Sequence, residues 1–121
     1  MSTEILNAKI THTRLGEDHG CLTAYITIEG DGWGCTPGGY CLDHWFCKPG
    51  EYYSSDGYGA IIELMKTFEV ECWEDLVGQY CRVESEGWGA KITKIGHLMK
   101  DKWFSWPEYF KQVKEHHENN L

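Results

Sequence analysis

The run Cys35-Thr-Pro-Gly-Gly-Tyr-Cys-Leu-Asp-His-Trp-Phe-Cys47 places three thiols and an imidazole close together in the chain. Cys35, Cys41, His44 and Cys47 are the ligand types of a closed structural zinc site, where thiolates and a ring nitrogen surround the ion. The spacing opposes that reading. A strand extended over 40–47 sets Cys41 and Cys47 on one face with Asp43 and Trp45, and turns His44 to the other. No glycine or small residue at Leu42-Asp43 supplies the tight turn of a metal knuckle. The expectation is packed thiols beside a surface histidine, with no metal and no cofactor.

Other reactive groupings are weaker. A thiol nucleophile needs a neighbouring imidazole, cation or helix start to lower its pKa. His19 lies two residues before Cys21, Lys48 follows Cys47 and Arg82 follows Cys81, but adjacency along a chain makes no contact. Asp18-His19 and Asp43-His44 have acid and base types. Successive strand residues point to opposite faces, however, and no serine in a nucleophile elbow accompanies them. The stretch Ser54-Ser-Asp-Gly-Tyr-Gly59 precedes a helix, whose free amides attract an anion. It has no Walker lysine, and Asp56 can occupy the cap itself, so plain capping is the preferred reading. A non-enzymatic protein is expected.

The rings suggest more. Trp33 and Trp88 each stand between two glycines, where neighbouring side chains cannot shield them. They either plug the ends of the core or stack on something planar. Stacking on a base is worth about 1–3 kcal/mol. Arg82, Lys91 and Lys94 lie near Trp88 in sequence and suit phosphates, Tyr40 adds a ring, and Asp18 and Asp43 can accept from ribose hydroxyls. Those eight residues form the candidate ligand-binding set.

Composition bounds the rest. A chain of 121 residues is long enough for one domain spanning 1–121 and too short for two ordinary ones. Aromatic residues make up 14% of it, six of them tryptophans, which excludes a disordered polymer. The formal charge of −8 argues against non-specific nucleic-acid binding, which depends on cationic contacts to phosphates. With no basic stretch before an apolar one near residue 1, and no apolar run of about 18 residues, the expectation is a cytoplasmic, unanchored protein whose six cysteines stay reduced.

Regular elements must position these groups. Alternation predicts strands over 4–13 and 21–28, with Leu22, Ala24, Ile26 and Ile28 on one face, joined by a polar turn at 16–20. The glycine-rich stretch 30–39 reads as a loop or a bulged hairpin, followed by the strand over 40–46. Tyr58, Ile61, Ile62, Met65 and Phe68 give helical spacing over 56–69, and 72–78 reads as one helical turn. Strands over 79–84 and 90–97 make a hairpin around 86–89. Ser105-Trp-Pro-Glu108 is a capping box opening a helix to about 117. The class is α+β: an antiparallel sheet of about five to six strands with two helices packed on it.

Three segments together resemble a family of small proteins encoded in tailed phages and prophages. They are Glu17-Asp-His-Gly20 with Leu22-Thr-Ala-Tyr25, Gly38-Gly-Tyr-x-Leu-Asp43, and Trp73-Glu-Asp-Leu-x-Gly-x-Tyr-x-Arg-Val-Glu84 continuing to Ile95-Gly-His-Leu-Met-Lys-Asp-Lys-Trp-Phe104. The cysteines and the segment from Asp43 to Tyr53 depart from that pattern. In size and element order the chain is also similar to the Thoeris anti-defence sponges, which bind cyclic ADP-ribose signals or cyclic oligonucleotides between subunits. That resemblance implies a homo-oligomer sequestering a small nucleotide signal without catalysis. The rival expectation is an acidic inhibitor of a host nuclease or CRISPR effector, presenting Glu69, Glu71, Glu74, Asp75, Glu84 and Glu86 as a nucleic-acid mimic.

Overall fold

A computed structural model describes residues 4–51, 56–87 and 91–119. Its elements run β1 (Glu4–Asp18), β2 (Cys21–Gly30), β3 (Trp33–Cys35), β4 (Asp43–His44), α1 (Asp56–Phe68), a short 3-10 turn (Trp73–Leu76), β5 (Tyr80–Ser85), β6 (Lys94–His97), β7 (Trp103–Ser105) and α2 (Trp106–Asn119). The strands form one antiparallel sheet in the order β3-β2-β1-β5-β6-β7, with β4 also pairing β2. The class is α+β, as the sequence predicts.

The two long strands carry the alternation through into packing. Ala8 and Ile10 of β1 and Ala24, Ile26 and Ile28 of β2 are buried, while Lys9 between the first two is exposed. A bulge between Ile10 and His12 shifts the register, after which β1 continues past the predicted turn to pair Asp18 with Cys21. The turn therefore shrinks to His19-Gly20, where Gly20 N donates to Glu17 Oε2 at 3.0 Å.

The stretch after Gly30 is an interrupted edge strand. It touches β2 at Trp33–Cys35, again where Gly38 bridges Tyr25, and last at Asp43–His44. The predicted strand over 40–46 is thus corrected to two residues. Gly38 is the reason: at φ 113 it lies so close to the Ala24 carbonyl that no β-carbon fits. The chain then turns off the sheet edge, and Tyr40 stacks on Trp106 at 6.2 Å and 12° and meets Phe110 at a tilt of 31° and 5.6 Å.

Both helices pack on the core side. The buried stripe of α1 is Ala60, Leu64 and Phe68, whereas Tyr58 and Ile62, expected on it, are exposed. Close contacts set this rotation: the Leu42 backbone presses on Gly57 and the Tyr109 hydroxyl on Gly59, both without room for a side chain. The glycines that a phosphate reading would use are thus filled by protein, and Ser54 and Ser55 lie outside the described residues. Ser105 caps α2 as predicted, its Oγ accepting from Glu108 N at 3.3 Å. Trp106 behind it is 1% exposed and joins Phe104 edge-on at 5.1 Å. Truncating such a buried indole costs about 3–5 kcal/mol.

Candidate functional site

The sheet face turned away from the helices carries a row of residues in register. Asn7 pairs Arg82, Arg82 pairs Gly96, and Gly96 pairs Trp103. Cys81, Val83 and Ile95, which alternate with this row, have no exposed surface, so the row belongs to the opposite face. No described helix packs on it. Gly96 leaves a gap in the row, and the Trp103 indole lies across it.

Two cations meet that indole. The Arg82 guanidinium is 4.7 Å from its centroid and Lys94 Nζ is 5.2 Å away. The guanidinium is oriented from behind, Nε donating to the His97 carbonyl at 2.8 Å and Nη2 to the Lys100 carbonyl at 2.9 Å. Trp103 Nε1 donates to Asp101 Oδ1 at 3.2 Å, and Lys94 pairs Glu84 at 3.4 Å. The turn supplying the carbonyls is itself tied down: His97 Nδ1 accepts from the amides of Met99 and Lys100, each at 3.1 Å. Lys100 also binds Glu69 at the end of α1, with Lys102 Nζ at 3.6 Å. The Lys100 hydrogen bond, with the charges of Lys100 and Lys102, holds the Glu69 carboxyl below its usual 4.5. One row further along β1 and β5, Lys9 Nζ sits 5.5 Å from the centroid of the Tyr80 ring.

The far end of the same face is built differently. The Tyr25 hydroxyl donates to Asp18 Oδ2 at 2.6 Å, a bond that favours the protonated phenol and raises its pKa above 10.0. Beside it Cys21 and Cys41 form a disulfide with Cα atoms 5.3 Å apart, which corrects the expectation of reduced thiols at these two positions, while Cys35, Cys47, Cys72 and Cys81 are free. β4 brings the two together by pairing with the first residues of β2. The Cys41 sulfur is therefore engaged away from Cys35 and Cys47. Burial pushes the Cys35 thiol up, and pushes Cys81 up to about 12, so these two carry protons rather than nucleophilic thiolates at neutral pH.

The eight sequence candidates separate accordingly. Arg82 and Lys94 meet at Trp103. Tyr40 and Lys91 meet each other, with Lys91 Nζ 4.8 Å from the ring centroid, but Tyr40 belongs to the helix side through Trp106 and Phe110. Trp33 folds over Gly30 and packs against the core. Asp18 is bonded to Tyr25, and Asp43 is buried, its Oδ1 accepting from His44 N at 2.8 Å. Trp88 lies outside the described residues. Sequence reasoning missed Trp103 and Tyr80. Tyr80 stands two residues before Arg82 on one strand, a spacing the sequence carries, whereas Trp103 lies two strands from Arg82, on β7, which no local spacing announces.

This geometry can stack a flat ring and hold an anion beside it. No family model, curated protein or solved structure matches the chain. Among the described residues no helix is long and apolar enough to cross a membrane.

Proposed function

We propose that the chain is a phage anti-defence protein that binds and sequesters a host nucleotide signal, of the cyclic ADP-ribose or cyclic oligonucleotide type, without altering it. The observation that carries this reading is the Trp103 indole met by Arg82 and Lys94 on a sheet face that no described helix covers. A base stacks on such a ring and guanidinium pair, and the cations balance its phosphate. The motif resemblance supports the phage setting, and the likeness in size and element order to the anti-defence sponges supports association of several copies.

The test is calorimetry of the wild type and Trp103→Ala against a panel of cyclic and linear nucleotides, followed by mass spectrometry of the recovered ligand. Binding by the wild type, loss in the variant and an unchanged ligand mass are expected. A binder whose affinity ignores Trp103 would remove this site, and a ligand of altered mass would make the protein an enzyme. The acidic-inhibitor reading draws on exposed Glu71, Glu74 and Asp75, but Glu69 and Glu84 are neutralised by Lys100, Lys102 and Lys94. Its complex should weaken steeply with salt.

A further inference from the structure

We infer that the open face binds two linked nucleotides rather than one, with Tyr80 as the second base platform and Arg82 as the seat of the phosphate between them. This rests on the Trp103 reading and extends it. Tyr80 and Arg82 are two residues apart on β5 and point to the same face, since Cys81 between them is fully buried. Tyr80 is 58% exposed, so its ring is accessible to a ligand. Trp103 lies two strands away through Gly96. With strands about 4.8 Å apart and about 3.4 Å per residue, the two ring-bearing Cα atoms are roughly 12 Å apart. Two splayed bases joined through one phosphate can span that distance.

The charges support the same order across the face. Lys94 is paired with Glu84, and Lys9 stands in register with Glu29. The cross-strand neighbours of Arg82 are Asn7 and Gly96, neither of them acidic. Its guanidinium spends Nε and Nη2 on carbonyls, which fix its plane while the remaining N–H groups serve a phosphate. The surface then reads cation, ring, cation, ring, cation: Lys9, Tyr80, Arg82, Trp103, Lys94. That alternation matches base, phosphate, base, with a flanking cation at each end.

The experiment is calorimetry of the full chain with mixed-base ribonucleoside monophosphates and with mixed-base, 5′-phosphorylated linear dinucleotides. Dinucleotides are expected to bind about tenfold tighter or more, the gain of one added stack. Tyr80→Ala should erase that advantage while leaving monophosphate affinity within about twofold. Tyr80→Leu, which keeps an apolar side chain on the strand, should do the same, and Tyr80→Phe should retain the advantage. Equal affinity of the wild type for both lengths, or an equal loss for both on Tyr80→Ala and Tyr80→Leu, overturns the second platform and leaves the Trp103 site standing. Absence of binding by either class overturns the second platform, and calorimetry with the cyclic nucleotides then decides the Trp103 reading separately.

Discussion

The Trp103 indole occupies the place where residue 96 would carry a side chain: a β-carbon on Gly96 would stand 2.6 Å from two ring atoms and 3.0 Å from the Lys102 carbonyl oxygen. Glycine at 96 is therefore what lets the ring lie flat on the sheet and reach Arg82. Gly96→Ala is expected to lift the indole away, lowering stability by about 1–3 kcal/mol as other overpacked sites do. Urea unfolding with the tryptophan emission maximum as a second readout checks this. A wild-type spectrum and midpoint would contradict the placement.

Arg82 combines a charge with a rigid fork, and Arg82→Lys separates the two. The ammonium keeps the charge but cannot donate to the His97 and Lys100 carbonyls while covering the indole. Nucleotide affinity should drop about tenfold, with a stability loss of about 1–3 kcal/mol. Calorimetry and denaturant titration read the two separately.

The Cys21–Cys41 bridge closes a loop of 20 residues in sequence and ties the broken edge strand to β2. Cys21→Ser should cost about 3 kcal/mol under oxidising conditions by constraining the unfolded chain less. In a thiol reductant the variant and wild type should converge. Equal stability without reductant would show that the bond contributes nothing.

Burial raises the Cys81 thiol from 9.0 to about 12, and the sign of the resulting pH dependence follows. Below 9.0 both folded and unfolded chains keep the proton. Between 9.0 and about 12 the unfolded chain releases it while the folded chain retains it, so this contribution to stability declines as pH rises. The slope is at most about 1.4 kcal/mol per pH unit. Cys81→Ala should flatten the alkaline part of a stability-pH curve relative to wild type. Exposed Cys72 should meanwhile react readily with iodoacetamide in the folded protein, and Cys81 should not.

Elements whose signal is local were readable from the chain. Ile26 and Ile28 alternate with Tyr25 and Thr27 because a strand with one wet face imposes that period. Ser105 and Glu108 define the start of α2 because a cap needs only four consecutive residues. β7 was missed, since three residues between a turn and a helix carry no period. The segment from Gly30 to His44 was half read, because its contacts come from backbone meeting backbone at Gly38, which hydropathy does not register.

The amino-acid order by itself determined the α+β class, the faces of β1 and β2 and the cap of α2, since each follows from spacing within a few residues. Only the tertiary structure decided which rings and cations share a surface. Tyr40 and Arg82 look equivalent in sequence, yet Tyr40 leaves the sheet edge to join Trp106 while Arg82 stays on the open face beside Trp103. The pairing of Cys21 with Cys41 has the same origin, in β4 returning to the first residues of β2. Both outcomes depend on register between strands distant in the chain, and register is settled by packing the whole core at once.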